Sequence, residues 1–358
     1  MLGLGSLLRR EPEAMIGLDI GSSSAKLVEL GRQRSGQWIL LGCDSEPLSS
    51  AWTVDGRVAD FEATVRALRR LVARSGTRTR KAAMALPSAA VITRRIALPA
   101  GLSERELQSQ VAAEADRYLP YPVDEASLDF CPLGPSLTTG DDIDLLIASA
   151  RREQVEEFQS LAEAAGLELE VLDVASFVSR RMAANLNSQG AEHPGATLAL
   201  VEMAAHTTSL QVIQNDQLLY ERDQAVGGAQ LTLQIQQRYG LSPEEAEVRK
   251  RGASLPDDYP MAVLQPFLQT MAQEVARLLQ FFYTSTAYGQ VDRMLLAGGA
   301  AALAGLADAV HRSSGPPCSV ADPFQGMAIP DGRDGRTGRL DAPAYWIACG
   351  LAMRRFDP

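Results

Sequence analysis

This chain has little of what most metal and redox sites are built from. Among its 358 residues are 4 cysteines and 3 histidines. Cys43, Cys131, Cys318 and Cys349 stand far apart with no paired spacing, which excludes a disulfide framework and suits small buried residues in a reducing compartment. His193, His206 and His311 are equally scattered, so no zinc-ligand spacing arises. Aromatic residues make up 6% and the formal net charge is −10, both of which argue against a nucleic-acid-binding surface. No apolar run approaches the roughly 18 residues of a membrane span. The start, Met1 to Arg10, places its arginines after a short apolar patch, the reverse of a secretory signal. It reads as a loose tail or a weak surface contact.

What is present is ordinary globular composition, 46% hydrophobic and 22% charged, over a length that suggests two or more cores. The organising stretch is Ile16 to Lys26. A short apolar strand from Met15 to Ile20 is interrupted by one carboxylate, Asp19. Gly21 and three hydroxyls, Ser22, Ser23 and Ser24, follow. Lys26 then heads a second strand, Leu27 to Leu30. A strand, a Gly/Ser turn and a returning strand predict a hairpin whose turn can wrap a phosphate. Gly21 permits close backbone approach, Lys26 adds a point charge, and Asp19 suits a water-coordinated Mg²⁺. An ordinary small-residue hairpin has the same local pattern. The stretch is neither a Walker A loop, which needs Gly-x-x-x-x-Gly-Lys-Ser, nor a Rossmann fingerprint, which would continue as a helix.

Further along, Trp38 to Cys43 predicts a strand, Phe61 to Arg74 a helix with a solvated arginine face, and Lys81 to Leu86 a buried strand. A second unit follows. Val91 to Pro99 is strand-like, and Ser103 with Glu106 caps a helix carrying Leu107, Val111, Ala115, Tyr118 and Leu119. Phe130 to Leu133 and Ile143 to Ala150 read as strands, Arg151 to Ala165 as a helix and Leu167 to Val171 as a strand, a βαββαβ-type module. Asp173 to Asn187 reads as a helix with its start, and Ser188 to Gly195 as a linker.

The opening pattern then returns. Thr197 to Glu202 is an apolar strand ending in a carboxylate, Met203 to Thr208 is a small, hydroxyl-bearing turn, and Ser209 to Ile213 is a returning strand. Two such units at the heads of two lobes would clamp a polyphosphate between them. Ser242 and Glu245 cap a helix that presents Glu247 and Lys250 on one face, where a solvated salt bridge is the plain alternative. Met261 to Tyr288 is a long core helix. Val291 to Ala297 is a buried strand followed by Gly298 and Gly299, which let a ring or phosphate lie against the backbone. Asp331 to Arg339 is a Gly/Arg/Asp loop, and Ala344 to Arg355 the last helix.

These residues resemble a known superfamily. Gly17 to Ser23 is similar to the first phosphate motif of the actin-like ATPases, and Lys26 falls where actin has its phosphate-binding lysine. Glu202 to Thr208 sits at the second phosphate motif, and Leu295 to Ala300 resembles the adenosine motif. Glu247, Lys250, Arg251 and Ser254 match the Hsp70 segment that grips ribose and adenine. Asp173 to Ser176 falls at the first connecting segment. Within the superfamily the chain looks most like the PilM family of type IV pilus assembly, through Gly240 to Glu247, Asp322 to Phe324 and Ala348 to Arg354.

The resemblance implies an α/β actin-like ATPase fold: two duplicated lobes around a nucleotide cleft, with an FtsA/PilM-type 1C insert at about 91–171. Residues 1–14 would be a tail, 15–187 the first lobe, 188–340 the second, and 341–358 a C-terminal helix returning to the first. It implies ATP and Mg²⁺, with Asp19 on the metal through water. The nucleotide would be held by Asp19, Gly21, Ser22, Ser23, Ser24, Lys26, Glu202, Thr207, Gly227, Glu247, Lys250, Arg251, Ser254, Gly298, Gly299 and Ala300, with Asp173 as the candidate base. It also implies a groove beside the insert for the cytoplasmic N-terminal tail of a PilN-type membrane protein. Through that protein the chain would reach PilO and the pilus motor ATPases, from the cytoplasmic side of the inner membrane, with self-association compatible. Val111, Ala115, Tyr118 and Leu119 are the candidate groove wall, or else the insert's own core.

The second phosphate motif departs from the family by having glutamate where aspartate is usual and alanines where glycine is usual. This predicts binding with slow or no hydrolysis. An FtsA-like cell-division filament protein is the competing reading. It is weakened because the chain ends at Pro358 without an amphipathic tail. A superfamily kinase or phosphatase would need a second acid beside a substrate pocket.

Overall fold

The computed structural model describes residues 14–48, 53–54, 57–136, 140–189, 195–252, 254–330 and 339–356. The expected N-terminal tail, most of the 188–195 linker and nearly all of the 331–339 loop lie outside the described residues.

The first half begins with β1 (Met15–Ile20) and β2 (Ser24–Arg32), an antiparallel hairpin in which Ile20 pairs with Ala25. It continues through β3 (Trp38–Pro47), the small hairpin β4 (Thr53–Val54) and β5 (Arg57–Val58), α1 (Phe61–Ser75) and β6 (Lys81–Leu86). Asp60 Oδ1 accepts from the Ala63 N–H at the start of α1, and left-handed Gly76 ends it. The arginine face of α1 is not simply solvated. Arg70 Nε lies 2.7 Å from Glu46 Oε1 and Arg74 Nη1 2.6 Å from Glu46 Oε2.

β7 (Val91–Pro99), α2 (Glu104–Asp116), β8 (Ala126–Pro135) and β9 (Asp142–Arg151) make a separate three-stranded sheet of order β7-β9-β8. Ser103 and Glu106 form the capping box of α2. α3 (Arg152–Ala164), β10 (Glu168–Val174) and α4 (Ala175–Gln189) follow. The inserted unit therefore ends near Arg151, not at 171. β10 pairs in parallel with β6, and Phe158, Leu161 and Ala162 of α3 share a core with Ile16, Leu18 and Leu68. An alternation of helix and strand in sequence does not reveal which sheet a strand joins. Asp173 likewise lies within β10, paired with Ala85, and does not start a helix.

The second half comprises β11 (Leu198–Met203), β12 (Thr208–Gln214), β13 (Gln217–Gln224), α5 (Ala229–Tyr239) and α6 (Pro243–Gly252). A π-turn over Pro260–Leu264 leads into α7 (Gln265–Ser285), followed by β14 (Arg293–Ala297), α8 (Leu306–Ser314), β15 (Cys318–Val320) and α9 (Trp346–Met353). Pro266, with no N–H to give, stands at the start of α7, where the winding is wide. Asn215 and Asp216, at φ 50° and 61°, form the tight turn between β12 and β13.

The two main sheets have orders β3-β2-β1-β6-β10 and β13-β12-β11-β14-β15. Each is an antiparallel three-strand meander with two parallel strands added beside its first strand. The sequence repeat is thus a repeat of topology. α1 and α3 cover the outer face of the first sheet, and α7 and α8 that of the second. Between the sheets lies a shared core containing Val178 and Met182 of α4, Trp346 and Leu351 of α9, Met15 and Val28 of the first sheet, and Leu198 and Leu200 of the second.

The period of two in a strand decides what faces that middle layer. On β1, Ile16, Leu18 and Ile20 enter the outer core, so Met15, Gly17 and Asp19 face inward. On β11, Ala199, Val201 and Met203 enter the outer core, so Leu198, Leu200 and Glu202 face inward. Gly17 is needed there because α9 lies directly on it: a Cβ would stand 2.0 Å from the Ala348 carbonyl oxygen.

Candidate functional site

Asp19 and Glu202 end the two inward-facing rows. Asp19 pairs across its hairpin with Lys26, and Glu202 pairs across its own with Ser209. Ile20 pairs with Ala25 and Met203 with Thr208, so the turns are residues 21–24 and 204–207, of equal length. The same bond closes both: Gly21 N–H donates to Ser24 O at 3.1 Å, and Ala204 N–H to Thr207 O at 2.9 Å.

In the first turn Lys26 Nζ lies 3.6 Å from Asp19 Oδ2 and donates to Ser24 O at 3.4 Å. Burial pushes the Asp19 carboxyl above its ordinary range, and the charge and hydrogen bond of Lys26 pull it back. Ser24 is 3% exposed and begins β2, so Ser22 and Ser23 are the hydroxyls the turn offers.

The second turn is built differently. Ala204 O accepts from Gly228 N–H at 3.0 Å and Ala205 O from Ala229 N–H at 2.8 Å. The turn's carbonyls thereby fill the first N–H groups of α5, a helix end that elsewhere receives anions. Gly227 is obligatory for this contact, since a Cβ there would sit 2.5 Å from Ala204 O. Thr207 is exposed at the crest of the turn.

Glu202 accepts a hydrogen bond on Oε2 from Ser179 Oγ of α4 at 2.8 Å. Ser179 Oγ accepts one from Trp346 Nε1 of α9, also at 2.8 Å. The Glu202 carboxyl is pushed up to about 7. Burial is the main cause, opposed by the Ser179 hydrogen bond and the Lys26 charge and reinforced by the charges of Asp19 and Asp223.

A third element closes beside this turn. Gly298, at φ 87°, comes so near β11 that a Cβ would lie 2.4 Å from Met203 O. A left-handed residue without a side chain is required there. Ala300 meets the start of α5, with its Cβ 3.3 Å from where a Gly228 Cβ would be, and Gly299 lies over Ala344. On α6, Glu247 Oε2 accepts from Thr232 Oγ1 of α5 at 2.9 Å and pairs with Lys250 Nζ at 2.5 Å. Lys250 Nζ also donates to Thr232 Oγ1 at 2.8 Å, and Arg251 Nε to Glu247 Oε1 at 2.9 Å. Burial raises the Glu247 carboxyl, but Lys250 and then Arg251 outweigh it and hold it below the usual range. Ser254 is exposed beyond the end of α6.

Other expected residues lie elsewhere. Asp173 is level with Ala85 of β6, two strands from Asp19. At the usual strand spacing the two backbones are roughly 10 Å apart. Asp173 Oδ2 is 3.0 Å from Arg354 Nε, so this acid is held in an ion pair. Val111 and Ala115 are 2% and 0% exposed, and Val111 packs in the insert's own core with Leu98, Leu145 and Ile147, so neither side chain is offered to a groove. Tyr118 and Leu119 remain half-buried. Arg94 stacks 4.8 Å over the Tyr118 ring, and Arg151 4.2 Å over that of Tyr121. Ser179, Trp346 and Thr232 are not legible as site residues: Ser179 and Thr232 are single side chains in partly exposed helices, Trp346 opens a helix buried on every side, and none belongs to a motif.

Among the described residues no cluster of three or more His, Cys, Asp or Glu gathers as a ligand set. A divalent cation here would keep most of its waters, with Asp19 and Glu202 as charge partners. That is how Mg²⁺ is usually held beside phosphates.

The sequence matches the family described as Type IV pilus assembly protein PilM over residues 17–356. This chain belongs to the PilM family. It is similar to a solved chain of the PilM-PilN type IV pilus biogenesis complex, at 30% identity and TM-score 0.79, covering 98% of this chain and 100% of that one. The ethanolamine utilization protein EutJ from Carboxydothermus hydrogenoformans is similar at 18% identity and TM-score 0.55, covering 96% and 91%. MreB5 of Spiroplasma citri bound to ADP is similar at 14% identity and TM-score 0.50, covering 98% and 100%. The fold of this PilM-family chain is the actin-like ATPase fold. No helix among the described residues is long and apolar enough to cross a membrane.

Proposed function

We propose that this chain is an ATP-binding scaffold of the type IV pilus assembly complex that holds the cytoplasmic N-terminal tail of a PilN-type membrane protein. The observation that carries the reading is its likeness, at 30% identity over 98% of its length, to a chain of the PilM-PilN complex. Through that partner the protein would sit at the inner membrane and communicate with PilO and the pilus motors.

The duplicated hairpins support a nucleotide between the halves. Ser22, Ser23 and Lys26 would hold phosphate oxygens, and Asp19 and Glu202 would face a hydrated Mg²⁺. The Gly298 turn would receive the base, with Glu247, Lys250 and Arg251 at the ribose side. A cation would also relieve the mutual repulsion of Asp19 and Glu202. Slow or absent turnover fits a second turn whose carbonyls already occupy the α5 N–H groups, and an Asp173 engaged by Arg354. The nucleotide would act by favouring one closure of the halves. The peptide would lie beside the insert, where Tyr118 and Leu119 are half-buried.

The test is calorimetric binding of a synthetic PilN-type N-terminal peptide, with and without Mg-ATP. Tight binding that changes with ATP is expected. Absence of binding in both states would overturn the scaffold reading.

A further inference from the structure

The two hairpins differ in how their carboxylates are held. Lys26 stands across from Asp19, but Ser209 stands across from Glu202, so the second hairpin supplies no cation of its own. Glutamate is also one methylene longer than aspartate and has an additional torsion to restrain.

Ser179 and Trp346 restrain that torsion and put a hydrogen bond where the first hairpin has a charge. An indole N–H is only a donor, so Ser179 Oγ must accept from Trp346, and the one hydroxyl proton is left for Glu202. The direction of this chain is therefore imposed by its far end. Trp346 is 1% exposed and Ser179 is 2% exposed, so water does not compete for the bond between them. The chain engages Oε2 and leaves Oε1 of Glu202 for other partners.

We infer that Ser179, oriented by Trp346, is a positioning residue that fixes the Glu202 carboxylate against the Mg²⁺ of a bound nucleotide. It restrains Glu202 as Lys26 restrains Asp19, through a hydrogen bond without a charge. A hydrogen bond donated to a carboxylate also favours its charged form, the form a cation needs. The inference rests on the cleft being the nucleotide site.

The test measures ATP affinity of the full chain by calorimetry in Mg²⁺ and again in EDTA, for wild type, Ser179→Ala and Ser179→Thr. The quantity read is the ratio of the two dissociation constants. Loss of such an outer hydroxyl typically costs about tenfold or more in metal-linked affinity. Ser179→Ala should shrink the Mg²⁺ advantage by about that factor, and Ser179→Thr, which keeps the hydroxyl, should restore most of it. Trp346→Phe should give an intermediate loss, because Ser179 stays but is free to turn away. An unchanged circular dichroism spectrum and a cooperative thermal transition certify that each variant is folded. A merely structural role would weaken ATP equally in Mg²⁺ and EDTA, and that result, or an unchanged ratio in Ser179→Ala, overturns the inference. If wild type binds no ATP in either buffer, the cleft reading falls and this inference with it. If wild type binds with a Mg²⁺ advantage that Ser179→Ala preserves, only the positioning role is lost.

Discussion

Asp19 and Glu202 occupy the same place in two copies of one hairpin, each one residue before the end of its inward-facing strand. Asp19 has a lysine 3.6 Å away, whereas Glu202 is served by a serine 2.8 Å away from a different element. The duplication supplies the positions, and divergence between the copies supplies the chemistry.

Lys26→Ala removes the one cation of the first turn. Hydrogen bonds to charged groups contribute about 1.5–3 kcal/mol, so Mg-ATP affinity should fall at least about tenfold. Calorimetry at neutral pH decides this, and a change within about twofold would remove Lys26 from the site.

Gly17→Ala places a methyl group against the Ala348 carbonyl, where a Cβ would be 2.0 Å away, and α9 cannot withdraw without opening the middle core. Overpacking of this kind costs about 1–3 kcal/mol, occasionally more. Thermal unfolding should show a lowered Tm, and an unchanged Tm would mean that α9 does not lie against β1.

Glu202 sets a pH dependence of stability. Its folded pKa, about 7, lies above its ordinary 4.5, so the folded state holds the proton more tightly. The associated stabilisation is complete below pH 4.5 and is lost as pH rises to about 7. Glu202→Gln keeps the Ser179 bond without titrating. Its Tm should gain on wild type across that window and run parallel above it. A constant difference from pH 4 to 8 would refute the shift.

Glu46 acts in the opposite direction. Burial raises its carboxyl, but hydrogen bonds from Arg70 and Arg74 outweigh this and hold it below the ordinary 4.5. Its stabilisation is present above pH 4.5 and disappears as pH falls through the lowered value. Because both arginines are about half exposed, Glu46→Gln should cost only about 1 kcal/mol near neutrality. The gap to wild type should close in acid, as followed by urea unfolding at pH 7 and pH 3.

Much of this was legible along the chain because it is local. The capping box of Ser103 and Glu106, the α1 stripe and the hairpin turns depend on neighbours within a few residues. The repeat of an apolar strand, an acid, a small-residue turn and a returning strand was legible for the same reason, and it located Asp19 and Glu202 at equivalent points. What is not local is less legible. The sequence pattern groups β10 with the insert although it pairs with β6, because pattern does not reveal which sheet a strand joins. For Val111 and Ala115 the pattern leaves open a groove wall or the insert's own core, because the apolar face of a helix looks alike in both cases, and burial favours the core.

Strands, helices and the doubled hairpin follow from local sequence, since periodicity, capping and turn chemistry act over a turn of helix or a pair of strands. Which face of β1 and β11 looks inward depends on packing, because α4 and α9 enter between the sheets from distant parts of the chain. Packing alone brought Trp346 to Ser179 and Ser179 to Glu202. Those bonds join residues 167 and 23 positions apart, and hydrogen-bond geometry at 2.8 Å exists only once the backbones that carry them have packed.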